Sequence, residues 1–308
     1  MELRNLRTFV HAAELNSFSK AADRLNYAQS TVTAQIDALE KELGVQLFHR
    51  NGKKISLSEA GQELLRYAYR FLQLENEVYQ SFGGEEEPSG DLCVGILESL
   101  SASGHMKGLE QFLRDYPAVR LRVRIGTTIE LMEKLENGEI DAAFLLDTPV
   151  MNRKFRTVDR RPVRILFIAP PGSAWGGKRV MLRDLAEERW LLTERGCNYR
   201  RLLEEELLKR ELSVFDPLEI GSTSVLIRCV SDGLGISLLP EYNLTEALRE
   251  GRVQEIPVED CRMEMEFQAL IHKDRWLSPS IQKICEYMKY GSGGPLMEAA
   301  ARLKNKFA

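Results

Sequence analysis

The stretch from residue 17 to residue 42, SFSKAADRLNYAQSTVTAQIDALEKE, limits what this chain can fold into more than any other. It contains two short amphipathic segments with helical periodicity, separated by a polar turn. The apolar positions are Ala21, Ala22 and Leu25 in the first segment and Val32, Ile36 and Leu39 in the second. Because alanine lets two helix backbones approach closely, the pattern predicts a helix-turn-helix unit.

The exposed face of the second predicted helix carries short hydrogen-bonding side chains in place of the usual lysines and glutamates. These candidate DNA-binding residues are Gln29, Ser30, Thr31, Thr33 and Gln35. Side chains of this kind can read base edges in the major groove, so we predict contacts with bases or phosphates. The alternative is a solvated helix face on which Ser30 only caps the helix N-terminus. The chain has a formal net charge of -4, so any positive surface that faces DNA must be local.

A basic hairpin is predicted directly after the helix-turn-helix and completes a first domain of residues 1–58. The pair Asn51-Gly52 lies between two short β-type segments, and both central residues of a type I′ turn need positive φ. We therefore predict a two-stranded wing that turns at this pair. The basic residues at its tip, which we predict to contact DNA phosphates, are Arg50, Lys53 and Lys54. The alternative is an ordinary basic surface turn.

Residues 59–82 are predicted to form one long helix that begins after Ser58. Apolar residues recur on it at spacings of three and four, which is the heptad pattern of a helix that packs against a partner helix. The predicted dimerisation residues are Leu64, Leu65, Ala68, Phe71, Leu72, Val78 and Tyr79. The alternative is that these residues pack against the chain's own first domain. Residues 83–91, rich in glycine and glutamate, then predict a flexible linker.

Beyond the linker, strand-type and helix-type segments alternate, which predicts a parallel sheet flanked by helices. Two blocks of similar size predict two lobes. Lobe I comprises residues 92–162 together with a strand and helix that return at 266–290, and lobe II comprises residues 163–265. Residues 291–308, glycine-rich and then basic, are predicted to be a tail outside the fold.

The order of these units, and several motifs within them, resemble the LysR-type transcriptional regulators across nearly the whole chain. The motifs are FSKAADRL at 18–25, QSTVTAQIDALE at 29–40, LGVQLFHR at 43–50, LSEAG at 57–61 and VSDGLGISLLP at 230–240. The resemblance implies an N-terminal all-α winged helix-turn-helix with a long dimerisation helix. It also implies a C-terminal α/β two-lobed domain with a type 2 periplasmic-binding-protein fold. Many members have an arginine where this chain has Ala34, which leaves the base preference at that position open.

The same resemblance implies the partners. It implies double-stranded promoter DNA, a homotetramer built as a dimer of dimers, and RNA polymerase. It also implies that a small co-inducer enters the cleft between the lobes and changes how the promoter DNA is bound and bent.

Three loops in the α/β region are candidates for the effector site. Their residues are Ser99, Ser101, Thr127, Thr128, Gly196, Cys197 and Asn198. Each loop lies at the start of a predicted helix, where free N–H groups attract anions, and ligands of such folds bind at the carboxyl ends of strands. We therefore predict a small organic anion as the effector. The alternative is that these residues serve only as helix N-caps.

Other classes of protein fit the sequence less well. The five cysteines are an odd number without a CxxC motif, so they predict neither a disulfide framework nor a zinc site. A redox-sensing regulator that uses Cys197 stays open as an alternative. The four histidines lack metal-ligand spacing and no phosphate-binding glycine motif is present, so we predict no catalytic activity and no cofactor.

The position of the protein in the cell is predicted from what its sequence lacks. Charges interrupt the N-terminal segment every few residues, unlike a secretory signal, and no apolar run approaches the ~20 residues that span a bilayer. We therefore predict a cytoplasmic protein. A solute-binding protein without a regulatory role would share the two-lobed fold but would have no use for the first 82 residues.

Overall fold

The computed structural model describes residues 1–51, 54–82, 87–176, 178–214 and 216–289. The chain divides into two compact units, one of residues 1–86 with 133–140 and the other of the remaining described residues. The segment 133–140 thus groups with the first unit, although the predicted boundaries placed it in lobe I. Lys53, part of the predicted linker and the predicted tail lie outside the described residues. None of the described helices is both long and apolar enough to cross a membrane.

The first unit contains a helical domain, a hairpin and a long helix. Its elements are α1 (Leu3–Leu15), α2 (Phe18–Leu25), α3 (Gln29–Leu43), β1 (Phe48–Asn51), β2 (Lys54–Leu57) and α4 (Glu59–Phe82). Ser17 caps α2, since its hydroxyl accepts the backbone N–H of Lys20 at 3.2 Å. Helix α3 ends at Leu43 and is capped by Gly44, whose φ of 71° places it in the left-handed region that favours glycine. The predicted helix-turn-helix is therefore present, and α4 has the predicted bounds.

The hairpin forms, but its first strand extends one residue further than predicted. Asn51 is the last residue of β1 and pairs with Lys54, so residues 52 and 53 lie between the strands. The prediction that Asn51-Gly52 forms the centre of the turn was therefore wrong. Phe48 pairs with Leu57, and both pack against the domain core. Because a slip of one residue would turn these side chains away from the core, packing sets the register more strongly than turn preference does.

The second unit is an α/β structure. Its strands are β3 (Gly90–Ile96), β4 (Val119–Ile125), β5 (Ala142–Asp147), β6 (Phe155–Ala169), β7 (Leu191–Leu192), β8 (Leu218–Glu219), β9 (Ser237–Pro240), β10 (Gln254–Ile256) and β11 (Met263–His272). Its helices are α5 (Glu98–Ser101), α6 (His105–Asp115), α7 (Thr128–Glu136), α8 (Asn198–Lys209), α9 (Thr223–Ser231), α10 (Glu241–Arg249) and α11 (Pro279–Tyr287).

The main sheet is mixed, whereas the sequence predicted a parallel one. Its strand order is β10-β6-β11-β5-β3-β4, and β9 also pairs with β6. Strand β3 is parallel to β4 and β5, because helices connect these strands. No helix lies between β5 and β6 to carry the chain back in the same direction, and both β5 and β6 pair antiparallel with β11.

Strand β6 connects the two lobes. Its first part, from Phe155, pairs with β11, and its last part, ending at Ala169, pairs with β9 and β10. Strand β11 also pairs with β5, so the end of the described chain returns to lobe I, as predicted. The predicted boundary between residues 162 and 163 therefore falls inside a continuous strand.

His105 is a buried titratable group in lobe I, on α6. Only 4% of the residue is exposed, and its ring stacks on Phe267 with centroids 5.5 Å apart. Ser103 Oγ lies 2.7 Å from its Nδ1. Burial, with Arg161 nearby, lowers the pKa of His105 from 6.5 to about 4. The folded chain therefore holds this histidine neutral at a pH where an unfolded chain would protonate it.

This histidine gives the fold a sensitivity to acid. Since the pKa is lower in the folded state, the stabilisation is complete above pH ~6.5 and is lost as the pH falls toward 4. We expect His105→Phe, which keeps an aromatic ring, to reduce the loss of unfolding free energy between pH 7 and pH 5 by about 2 kcal/mol. Denaturant unfolding of the full chain at both pH values measures this difference, with His49→Asn on the exposed face of β1 as the control. An equal loss in His105→Phe and wild type would contradict it.

Candidate DNA-binding and effector sites

The N-terminal half of α3 presents most of the predicted DNA-binding residues to solvent. Gln29, Ser30 and Thr31 are exposed and Thr33 is half-buried. Ser19 Oγ of α2 donates to Gln29 Oε1 at 3.0 Å, and Thr33 Oγ1 donates to the Gln29 carbonyl at 3.1 Å. Helix α3 begins at Gln29 after Ala28, with no side-chain cap, so the alternative of Ser30 as an N-cap was wrong.

Gln35 has a structural position instead of a DNA-facing one. It is 9% exposed, and its Oε1 accepts a hydrogen bond of 2.6 Å from the hydroxyl of Thr8 on α1. The helical repeat places it beside Val32 and Leu39 on the buried side of α3. The prediction of Gln35 as a DNA contact is therefore corrected. The exposed positions that complete the outer face are Ala34, Asp37, Ala38 and Lys41.

Arg50 of the wing is paired with carboxylates of α3. Its Nη2 lies 2.5 Å from Asp37 Oδ1 and 3.2 Å from Glu40 Oε2. Its guanidinium carbon also lies 5.5 Å from the ring centroid of Phe18. The hydrogen bond to Asp37 is the largest cause of a raised pKa for Arg50. These contacts attach the wing to α3 and offset the positive charge of Arg50. The predicted phosphate contact at Arg50 is therefore not supported. The side chain of Lys54 lies outside the described part of the chain.

Helix α4 uses its apolar residues in two ways. Four of the predicted dimerisation residues pack against the core of the chain's own domain, namely Leu64, Leu65, Ala68 and Leu72. A second row remains exposed, with Tyr67, Phe71, Leu74 and Val78 at spacings of four, three and four. Phe71, Val78 and the exposed Tyr79 were predicted, whereas Tyr67 and Leu74 were missed because the pattern was assigned to the adjacent row. A contiguous exposed apolar row of this kind marks an interaction surface.

A cavity of about 220 Å³ in the second unit brings together six of the seven predicted effector residues. It is lined by Leu97, Glu98, Ser99, Ile125, Gly126, Thr127, Thr128, Glu130, Leu146, Thr193, Glu194, Gly196, Cys197, Asn198 and Tyr199. It lies at the carboxyl ends of β3, β4 and β5, as the fold predicts. Ser101 is not part of the lining, because its hydroxyl donates back to the Glu98 carbonyl at 2.7 Å.

Hydrogen bonds connect the two lobes across this cavity. Asn198 Nδ2 of lobe II donates to Thr128 Oγ1 and to the Leu146 carbonyl of lobe I, both at 2.8 Å. The carboxylate of Glu98 accepts the backbone N–H of Thr223 at 3.2 Å and its hydroxyl at 2.5 Å. Asn198 therefore acts as a bridge between the lobes in this arrangement, as does Glu98, which the sequence analysis missed.

The charges of the lining bear on the predicted anionic effector. The lining contains the carboxylates of Glu98, Glu130 and Glu194 but no lysine, arginine or histidine. Glu130 Oε2 accepts the backbone N–H of Thr127 at 2.9 Å, and Glu98 accepts that of Thr223 at the start of α9. The protein's own carboxylates thus occupy helix N-termini that could otherwise bind an anion. The lining thus offers an anion hydroxyl and amide donors but no cationic side chain, and the organic anion stays a prediction.

Cys197 is the residue that precedes α8, and its thiol lies in the cavity wall. Burial raises the pKa of the Cys197 thiol above 9.0. Since the thiolate is the form that reacts with peroxide, burial disfavours a sensor role at this position. The five cysteines are all free thiols.

A winged helix-turn-helix with an exposed polar face on α3, joined to a two-lobed α/β unit with a cavity, defines a DNA-binding transcriptional regulator with a substrate-binding domain. The chain matches the family description "Bacterial regulatory helix-turn-helix protein, lysR family" over residues 3–62. It matches "LysR substrate binding domain" over residues 85–291. The chain therefore belongs to the LysR family of bacterial transcriptional regulators, which confirms the resemblance seen in its sequence.

Relatives of known name cover nearly the whole chain. The HTH-type transcriptional regulator YwqM of Bacillus subtilis (strain 168) is 34% identical over 286 residues, which are 92% of this chain and 96% of that protein. GltR of the same organism is 29% identical over 292 residues, covering 94% and 96%.

Solved structures share the fold. A full-length OxyR variant from Pseudomonas aeruginosa aligns with a TM-score of 0.75 at 21% identity, covering 95% of this chain and 99% of that chain. Full-length CbnR complexed with its target DNA aligns with a TM-score of 0.62 at 22% identity, covering 94% and 99%. The predicted fold class, a winged helix-turn-helix with a periplasmic-binding-protein-like domain, is confirmed.

Proposed function

We propose that this regulator binds specific promoter DNA through α3 and that a small molecule in the cavity between the lobes changes this binding. The observation that supports DNA reading most strongly is the exposed row of short polar side chains at the start of α3. In helix-turn-helix proteins the N-terminal residues of the second helix contact base edges in the major groove. Gln29, Ser30 and Thr31 occupy that position, and the hydrogen bond from Ser19 holds the Gln29 amide in place.

The active species is proposed to be an assembly of identical chains. The exposed row Tyr67, Phe71, Leu74 and Val78 has the spacing with which one helix packs against another. A dimer formed through α4 presents two recognition helices to paired half-sites about one helical turn of DNA apart, or a multiple of it. Two such dimers give the homotetramer that the family resemblance implies. CbnR, whose fold is similar, was solved on its target DNA, which supports double-stranded DNA as the partner.

The effector is proposed to act on the contacts between the lobes. Asn198 and Glu98 join lobe II to lobe I at the cavity wall, so a ligand bound there changes which of these hydrogen bonds can form. A ligand shifts a conformational equilibrium only by as much as its affinity differs between the two states. Hydrogen bonds between the lobes that form in only one of the two arrangements supply that difference in affinity. Because promoter DNA is its proposed partner, we also propose that the protein is cytoplasmic and that RNA polymerase is a further partner.

The division of α3 into a DNA-facing side and a structural side is testable. We expect Ser30→Ala with Thr31→Ala to weaken binding to the DNA upstream of the gene about tenfold or more, with an unchanged melting temperature. Gln35→Ala is expected to lower the unfolding free energy of the first unit by about 1–3 kcal/mol, because it leaves the buried Thr8 hydroxyl unpaired.

Gel shifts with specific and unrelated competitor DNA measure the first effect, and denaturant unfolding measures the second. Thr245→Ala, an exposed threonine on α10, controls for the loss of a surface hydroxyl. Wild-type affinity and specificity in the double variant would contradict base reading by the start of α3.

A further inference from the structure

We propose that Asp37 is a specificity-determining residue of the DNA-binding surface, because its carboxylate pairs with Arg50 and keeps that wing arginine from the phosphates of nonspecific DNA. The inference rests on the proposed function, in which the start of α3 reads DNA. It adds a residue that lowers the affinity for DNA of any sequence and so raises the preference for the promoter.

Asp37 lies on the face of α3 that is proposed to meet DNA. Ser30, Ala34, Asp37 and Lys41 follow one another at spacings of four, three and four, so they share one face of the helix. All four residues are exposed. Asp37 therefore places a negative charge on a surface that approaches the negatively charged DNA backbone.

The Asp37 carboxylate is used for the contact with Arg50. Its Oδ1 lies 2.5 Å from Arg50 Nη2, and the carboxylate forms no other hydrogen bond or ion pair among the described residues. Glu40 differs, because its Oε1 also accepts the backbone N–H of Leu47 at 2.7 Å. Glu40 thus fixes the backbone that leads into the wing, whereas Asp37 acts on Arg50 alone.

Arg50 keeps the capacity to bind a phosphate once Asp37 releases it. Both carboxylates use Nη2, and the Nε and Nη1 of Arg50 form no hydrogen bond within the described parts of the chain. A guanidinium binds a phosphate through two parallel N–H groups. In the free protein, however, one guanidinium lies beside two carboxylates, so the three side chains together repel a phosphate. Removal of the Asp37 charge shifts this balance toward the phosphate.

A purely structural role of the ion pair predicts a different result. Ion pairs between exposed side chains contribute little to stability, and the side chains of Arg50 and Asp37 are 43% and 53% exposed. Glu40 and the ring of Phe18 also hold Arg50 without Asp37. The loss of Asp37 is therefore expected to change DNA binding and to leave the melting temperature unchanged.

The consequence for specificity follows from the forces that hold the two kinds of complex together. Nonspecific binding comes from phosphate contacts, whereas base contacts carry the sequence information. A released Arg50 adds a phosphate contact in every register along nonspecific DNA. In the specific complex the base contacts of α3 fix the register and leave Arg50 only the phosphates that lie there. Asp37 therefore lowers nonspecific binding more than it lowers promoter binding.

The test measures binding of the full-length protein to the upstream DNA and to a random-sequence duplex of equal length, by fluorescence anisotropy at a series of salt concentrations. Asp37→Asn keeps the shape of the side chain and removes its charge. We expect its log–log salt slope on the random duplex to steepen by about 0.9, the value for one more phosphate contact. Its affinity for this duplex then falls about 3.5-fold more than that of the wild type between about 50 and 200 mM salt. We expect its ratio of promoter to random-duplex affinity at about 50 mM salt to be about threefold or more below the wild-type ratio.

Two further variants separate the ion pair from a general effect of charge. Asp23→Asn removes the same charge from an exposed residue of α2, whereas the ion-pair partners of Arg50 lie on α3, so this variant is expected to keep the wild-type slope. In an Arg50→Gln background, Asp37→Asn is expected to leave the slope unchanged, because the cation that it would release is missing. An equal slope in Asp37→Asn and wild type, an equal increase in Asp23→Asn, an increase that persists without Arg50, or an unchanged affinity ratio would each overturn the proposal.

The wild-type measurement separates this inference from the proposed function. Specific binding by the wild type together with an unchanged slope in Asp37→Asn rejects only the role of Asp37. Equal affinity of the wild type for the upstream and the random-sequence DNA rejects the proposed promoter reading and this inference with it.

Discussion

A chain that carries both Phe71→Glu and Leu74→Glu is expected to elute as a monomer and to bind its promoter at least about a hundredfold more weakly. Both side chains are exposed, at 43% and 57%, so the change leaves the core of the chain's own domain intact. In a dimer formed through α4, each side chain would be buried in both protomers. Each buried large apolar side chain contributes about 1.5–3 kcal/mol to the free energy of association. Two recognition helices linked in one dimer bind DNA about 10²–10⁴-fold more tightly than a single recognition helix does.

Size-exclusion chromatography with light scattering measures the oligomeric state, and a gel shift measures the affinity. Gln62→Glu is the matched control, because Gln62 is an exposed residue of α4 that lies five positions before Tyr67 and points away from the apolar row. A double variant that keeps the wild-type assembly and affinity would show that the row Tyr67, Phe71, Leu74 and Val78 has another role.

Gly61→Ala is expected to lower the unfolding free energy of the first unit by about 3 kcal/mol or more and to abolish DNA binding at physiological temperature. In an ordinary helix the same change stabilises by about 1 kcal/mol, because alanine has the higher helix propensity. In α4, however, a Cβ at Gly61 would lie 2.1 Å from the Leu47 carbonyl oxygen and 2.9 Å from Leu57 Cδ2. The first contact is with backbone, so relief requires that the wing move relative to α4.

Circular dichroism during thermal and denaturant unfolding measures the loss of unfolding free energy in Gly61→Ala. Gly44→Asn is the control, since Gly44 has a φ of +71° but no atom within 4 Å of the position that a Cβ would take. Asparagine tolerates this backbone conformation, so we expect a loss below about 1 kcal/mol. Stability of Gly61→Ala equal to or above wild type would mean that helix propensity outweighs the steric contact.

The elements with strong local signals were predictable from sequence. The apolar spacing of the helix-turn-helix is a local feature, and the two helices appear in the structure as predicted. The bounds of α4 follow in the same way from a continuous periodic pattern. The loops of the effector cavity were also predictable, because parallel strands end at the same edge of the sheet.

Features that depend on contacts between distant residues were not predictable in this way. The polar row on α3 predicted that Gln35 reads DNA, but only the position of Thr8 on α1 shows that its amide is buried in a hydrogen bond. Arg50 has the charge of a phosphate contact, yet Asp37 and Glu40 of α3 accept its guanidinium. In each case the partner lies at least ten residues away along the chain.

The sequence by itself determined the family, the order of the units and the loops that meet at the cavity, because periodicity, capping and turn residues act over a few neighbouring positions. Only the tertiary structure decided the side-chain roles within them. It placed the α4 residues of one row in the core and left the adjacent row exposed, and it brought Glu98, Glu130 and Glu194 from separate elements into the wall of one cavity. Burial and electrostatic environment are set by residues that converge from separate elements, and a linear pattern does not contain that convergence.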